Sequence, residues 1–189
     1  MKKILSIVIL GLIITSNSVA YEEANYEVIK KNKIYEIRKY SDRLAIETAI
    51  SNQGSSFRKL FNYISGNNES NEEIKMTIPV TQIEKKGNIT MQFYLPEKFK
   101  KDNTPRPSNS DVKILNIKGG YYAVIVYSGR ASDKNFIKHK SILENELRKD
   151  GISILSSPIK ATYNKPFTLP TLRRNEAMFE INTKTKGEI

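Results

Sequence analysis

The chain has 189 residues, with 31 lysines and arginines against 20 acidic residues, one histidine and no cysteine, for a formal charge of +11. That length suits one domain with a substantial core. The absent thiols exclude disulfides, thiolate metal sites, a cysteine nucleophile and a lipid-modified N-terminal cysteine. In chain order, Met1-Lys2-Lys3, the apolar run Ile4 to Ile14 and the small residues Ser18-Val19-Ala20 read as a secretory signal peptide over residues 1–20. The run is too short and wrongly flanked for a transmembrane anchor. Cleavage near Ala20 predicts a periplasmic or secreted protein, residues 21–189, forming a single domain. Loss of Lys2 and Lys3 takes the charge from +11 to about +9, which suits peripheral contact with an anionic envelope surface. The same charge could attract nucleic acid, but export makes that the weakest of the anionic partners, and none is expected.

Residues 21–33 are polar and read as an N-terminal arm. Ile34 to Tyr40 mixes aromatic and branched residues as a strand does, and Ser41-Asp42 is a turn signal. Leu44, Ile46, Thr48 and Ile50 then alternate with Ala45, Glu47 and Ala49, which predicts a hairpin. Phe57, Leu60, Phe61 and Ile64 follow helical spacing, with Ser55 or Ser56 as the cap and Gly66 closing the helix. Ile74, Met76, Ile78 and Val80 follow the period of a strand, and Pro79 predicts that this strand ends there or lies at an edge. A turn at Lys85-Lys86-Gly87-Asn88 precedes another alternating run, Ile89 to Leu95. Pro96 to Ser110 is proline-rich, charged and aperiodic, a surface loop joining two halves.

The pattern then recurs. Val112 to Ile117 is strand-like, Gly119-Gly120 is a turn, and Tyr121 to Tyr127 is the strongest strand of the chain. A helix from about Asp133 to Lys149 carries Phe136, His139, Leu143 and Leu147 on one side. Ile159 to Tyr163 and Ala177 to Ile181 are the last strands, separated by a loop that contains Pro166 and Pro170. The order strand, strand, helix, strand, strand occurs twice. It predicts a pseudo-two-fold α+β domain: one curved antiparallel sheet or distorted barrel, with two helices packed on it.

The motifs of common enzymes are missing: no H-x-x-x-H, P-loop or G-x-S-x-G occurs. His139 could face an apolar cavity and ligate haem iron, or hydrogen-bond a tyrosine or backbone carbonyl from the helix side. Arg38, beside Glu36 on one strand, could be a local ion-pair member or an anchor for a ligand carboxylate. Tyr40 belongs to a set of tyrosines, some of which could line a flat amphipathic site. Arg173 and Arg174 could clamp ligand carboxylates or form structural ion pairs. Glu176 is the one acid placed for acid–base work at a strand start.

Taken together, six segments resemble the SOUL haem-binding protein family. They are Tyr35-Glu36-Ile37-Arg38-Lys39-Tyr40, Phe57 to Asn67, Met76-Thr77-Ile78-Pro79-Val80, Leu95-Pro96 with Pro105-Arg106-Pro107, Tyr163-Asn164-Lys165-Pro166, and Arg173-Arg174-Asn175-Glu176. The likeness runs from about Tyr26 to Ile181. It implies duplicated β-α-β-β units in a distorted barrel with two helices, as in effector-binding domains of bacterial regulators. It also implies binding of haem or another tetrapyrrole without a catalytic group. The candidate ligand contacts are Arg38, Tyr40, His139, Arg173 and Arg174, with no catalytic residue and no protein-bound metal. The N-terminal half has no histidine and His139 matches no family histidine, so a tyrosine or methionine ligand, or none, stays open. Two other readings compete: a hydrolase of a reactive small molecule using Glu176, and a structural or interaction module of the envelope.

Overall fold

The structure, a computed structural model, describes residues 21–85 and 87–182. The expected signal peptide lies outside these residues. Two short strands, β1 (Glu22–Glu23) and β5 (Thr77–Ile78), pair in parallel. The other nine form one curled antiparallel sheet in the order β2-β3-β9-β11-β10-β6-β7-β4-β8. These are β2 (Tyr26–Lys31), β3 (Glu36–Tyr40), β4 (Arg43–Ala49), β6 (Val80–Lys85), β7 (Asn88–Tyr94), β8 (Lys113–Ile117), β9 (Gly120–Tyr127), β10 (Ile159–Thr162) and β11 (Asn175–Ile181). Helix α1 (Gln53–Ile64) follows β4 and helix α2 (Asp133–Lys149) follows β9. The fold is α+β, an open half-barrel with two main helices on one face.

The repeat is visible in the pairing. Matching β3, β4, α1, β6, β7 with β8, β9, α2, β10, β11 maps the eight-strand order from β3 to β8 onto its own reverse, with the pseudo-axis between β6 and β10. The first strand of each unit crosses to the other unit: β3 pairs with β9, and β8 with β4. The hairpin expected at Ser41-Asp42 therefore does not form, and the turn at Gly119-Gly120 closes none either. A turn signal marks only a change of direction, and here both turns lead the chain into the opposite half. The two connections pass so closely that a Cβ on Gly119 would sit 2.6 Å from the Tyr40 carbonyl oxygen and 2.8 Å from the Ser41 carbonyl carbon. Only glycine fits that crossing. The Asp42 carboxylate fastens it by accepting the Gly119 N–H at 2.8 Å.

Two further expectations change. The polar segment after residue 20 is not a loose arm, because β2 adds to β3 with a bulge near Val28. Helix α1 begins earlier than its apolar stripe, since Asn52 caps it by accepting from Gly54 N and Ser55 N. The expectation that a strand ends at Pro79 holds: β5 stops at Ile78, and Pro79 separates it from β6, which lies in the sheet's centre between β10 and β7. Gly66, at φ +98°, does end the α1 region as its sequence position implies.

Strand alternation sorts the core into two layers. On the helix face, Leu143 and Leu147 of α2 pack on Ile37, Ala123, Ile125, Ala177 and Phe179. Leu60, Tyr63 and Ile64 of α1 pack on Ile46, Met91 and Phe93. Each fully buried leucine contributes about 1.5–3 kcal/mol by leaving water. The proline-rich loop lies against α1, where the buried Tyr63 hydroxyl donates to the Pro105 carbonyl at 2.7 Å. The opposite face carries Tyr40, Tyr122, Val124, Ala161 and Met178, together with a buried set of charges.

Candidate ligand-binding groove

Along the helix face, β6 and β10 run beside the pseudo-axis between the two helical packing zones, and a groove of about 850 Å³ opens there. Ile78, Val80, Gln82, Met91 and Thr162 come from its strands, and Gln53, Gly54, Phe57 and Phe61 from α1. The segment leading into α2 (Arg130, Ala131, Ser132) and the loop between β10 and β11 (Lys165, Pro166, Thr168, Pro170) supply the rest, with Tyr21, Met76, Tyr163, Asn164 and Arg173. Phe57 and Phe61 depart from the expected core stripe. They are 40% and 46% exposed, and their rings stack with centroids 6.0 Å apart. Leu60 and Ile64 alone of that stripe enter the core, so two aromatic rings are left facing the groove.

The groove's charge has one sign. Arg130, Lys165 and Arg173 line it and no acidic residue does. Among the described residues no carboxylate pairs with any of these three side chains. The Lys165 ammonium lies 5.7 Å from the Tyr21 ring centroid. Such a surface suits a flat apolar molecule that carries carboxylates at its edge.

Of the five residues singled out from sequence, only Arg173 lines this groove. Arg38, Tyr40 and Arg174 come together on the opposite face around Glu176. Arg38, 2% exposed, donates to both Glu176 oxygens at 3.1 Å and to Glu36 at 2.8 Å. Arg174 donates to Glu176 Oε1 at 2.8 and 3.0 Å and to the two oxygens of Glu23 at 2.8 and 3.0 Å. The Tyr163 hydroxyl donates to Glu176 Oε2 at 2.7 Å. The arginines are also stacked on rings, Arg38 over Tyr26 at 4.3 Å and Arg174 over Tyr163 at 3.8 Å. Burial works against the charged form of Arg38, but Glu176 and Tyr40 outweigh it and hold the guanidinium above its usual range. Burial pushes the Tyr40 phenol up to about 12. As ligand anchors these residues are corrected: their donors are spent within a closed structural cluster. Glu176, 0% exposed and held by two arginines and a phenol, has no face open to a substrate.

His139 takes the plainer of its two expected roles. Its Nδ1–H donates to the Asn135 carbonyl at 2.8 Å, and its ring lies parallel on Tyr127 with centroids 4.0 Å apart. It does not line the groove, so it is not placed for a ligand's iron. Among the described residues no group of three or more His, Cys, Asp or Glu could hold a metal ion. In residue types the lining, apolar with Arg130, Lys165 and Arg173, is of the kind that a porphyrin's ring and carboxylates call for. For iron it offers no histidine, only the thioethers of Met76 and Met91 and the phenol of Tyr21, since the Tyr163 hydroxyl is committed to Glu176.

Comparison with known proteins now decides the family. The model of the SOUL heme-binding protein family matches residues 21–180. The chain belongs to that family. It is 32% identical over 162 residues to mouse (Mus musculus) heme-binding protein 2, covering 78% of this chain and 77% of the relative. SOUL membership places it among binding proteins rather than enzymes. The fold also recurs in the EcmrR C-terminal domain, at a TM-score of 0.60 and 12% identity over 83% of this chain and 98% of that one. One structure of an EcmrR–DNA complex contains it too, at a TM-score of 0.57 and 12% identity, covering 78% of this chain and 57% of that one. That last likeness corrects the expectation of no nucleic-acid partner. The exclusion rested on export alone, and the same architecture is found in a DNA-bound assembly.

The groove-lining residues that sequence reading did not single out are Arg130 and Lys165, and it placed Phe57 and Phe61 in a core stripe. Arg130 had one available signal, a cation in the short S-G-R-A-S link between the strongest strand and its helix.

Proposed function

We propose that this SOUL protein binds haem or a related tetrapyrrole in the groove and carries it without covalent chemistry. The observation that carries the reading is the apolar groove of about 850 Å³ with three cations and no acid in its lining. That volume lies in the range of about 300–1,000 Å³ typical of ligand pockets. Ring burial against Phe57 and Phe61 supplies most of the affinity, at about 25 cal/mol per Å² of apolar surface removed from water. Arg130 and Lys165 meet the ring's carboxylates and set its orientation, because exposed ion pairs are worth at most about 1 kcal/mol each. The name of the mouse relative, heme-binding protein 2, supports the same ligand class.

The carrier works after export, a reading supported by the signal-peptide pattern from Met1 to Ala20. Catalysis by Glu176 finds no support in its enclosure by Arg38, Arg174 and Tyr163. Hemin titration of residues 21–189 gives a saturable Soret change that weakens on replacing Phe57 and Phe61 by alanine and persists in His139→Ala. Absence of any saturable change with hemin and with iron-free protoporphyrin refutes the assignment. N-terminal sequencing of protein recovered from the periplasm is expected to begin at Tyr21; a chain still starting at Met1 refutes export with cleavage.

A further inference from the structure

One wall of the groove is a loop with little burial to hold it. Between β10 and β11 the residues Lys165, Pro166, Thr168 and Pro170 face the groove, while Phe167 between them is 98% exposed. A segment with so little apolar contact opens easily unless polar bonds fix it. One side chain supplies most of those bonds. The Arg173 guanidinium donates through Nε to the Thr168 carbonyl at 3.0 Å and through Nη2 to the Lys165 carbonyl at 3.0 Å, with a further short bond to the Pro166 carbonyl. The Lys165–Thr168 wall itself has one further tie, Thr168 N to Lys165 O at 3.1 Å inside the turn. The rest of the loop is held by Arg174 N donating to Asn164 Oδ1 at 2.6 Å at its base, by turn bonds from Leu172 N to Leu169 O and Arg173 N to Pro170 O, and by Gly129 N to Pro170 O at 2.8 Å at its far end.

We propose that Arg173 is a positioning residue for the groove: it latches the wall from Lys165 to Thr168 opposite Phe57 and Phe61, and so controls how fast a flat ligand leaves. This rests on the groove being the tetrapyrrole site. Arg173 acts through the wall and leaves the ligand's carboxylates to Arg130 and Lys165. A planar fork with separate donors reaches three carbonyls at once, whereas a lysine ammonium is a single point of charge and cannot replace it.

The test compares Arg173→Lys and Arg173→Met with the unaltered protein, residues 21–189 throughout. Protoporphyrin IX and its dimethyl ester serve as probes beside hemin. Both variants release the free acid and the diester about tenfold faster, as expected when a charged donor's bonds to a wall are lost. Arg130→Ala with Lys165→Ala slows no release and weakens the free acid only. Wild-type release rates in Arg173→Lys overturn the latch, because charge alone would then suffice. Loss confined to the free acid also overturns it, because Arg173 would then be a carboxylate anchor. Amide exchange at Thr168 in ligand-free protein gives a second reading that does not depend on porphyrin binding. It accelerates in both variants if the latch exists, and unchanged exchange in Arg173→Met refutes it. Failure of every porphyrin to bind, with accelerated exchange, refutes the tetrapyrrole reading and with it the ligand-release role, leaving only the loop brace.

Discussion

Glu176→Gln tests whether the charges opposite the groove are scaffold. The substitution keeps the shape and an oxygen for the Tyr163 hydroxyl but removes the one charge shared by Arg38 and Arg174. Breaking a buried ion pair by removing one partner costs about 3–5 kcal/mol. Arg38 is 2% exposed and keeps Glu36, and Arg174 keeps Glu23, so the lower end, about 3 kcal/mol, applies. At about 2–4 °C per kcal/mol for a chain of this size, the melting temperature falls by about 6–12 °C. Thermal melts followed by far-UV circular dichroism measure it. The double variant Arg38→Met with Glu176→Gln recovers at least half of the loss, because the stranded buried cation is gone. Hemin affinity stays near the unaltered value in both, since neither Arg38 nor Glu176 lines the groove. A shift in Glu176→Gln below about 2 °C, or a double variant no more stable than the single one, refutes the scaffold argument.

Phe57→Ala with Phe61→Ala leaves the melting temperature within about 3 °C, because both rings are half exposed, yet weakens hemin binding at least about tenfold. Equal loss of stability and binding would place these rings in the core after all. Gly119→Ala forces the crossing connections apart and destabilises by about 1–3 kcal/mol in urea unfolding, whereas Gly54→Ala in α1 is milder because its added Cβ meets only Asn52 Oδ1 at 3.5 Å, an ordinary contact. Glu47 supplies a pH dependence. Burial opposes its charge, but Lys85, Gln92 and Thr90 outweigh that and hold its carboxyl below the ordinary value of 4.5. Its folded pKa is thus below the unfolded one, so its contribution is complete above pH 4.5 and is lost as pH falls through the depressed value. Melting temperature measured from pH 7 down to about pH 3 falls less steeply in Glu47→Gln; an identical slope contradicts the assignment.

The repeat and the elements were readable because periodicity is local: α2 begins and ends where its apolar stripe and Ser132 cap place it. The pairing was not, because Ser41-Asp42 and Gly119-Gly120 carry the same turn chemistry whether the next strand returns or crosses over. The same limit governs the site. Arg38 beside Glu36 could be foreseen as an ion pair, since the two share a strand face. That Glu176 and Arg174 complete the cluster depends on β3 reaching β11's side of the sheet through β9, a long-range fact. Phe57 and Phe61 have the spacing of core residues. Only the width of the gap between the two helical packing zones leaves them open to a ligand.

The exchanged first strands also govern how the molecule can be made. β3 finds no partner among its own unit's strands and waits for β9, which leaves the ribosome long afterwards. Either half taken alone lacks a sheet neighbour, β9 beside β3 in the first and β4 beside β8 in the second, so a cut in the proline-rich loop yields two incomplete sheets rather than two small domains. Such non-local pairing makes assembly slow relative to helical proteins of this length and keeps one ladder edge of β3 and one of β4 open until β8 and β9, residues 113–127, are present. The interval before β9 arrives is when this protein is most prone to aggregate and most in need of a chaperone.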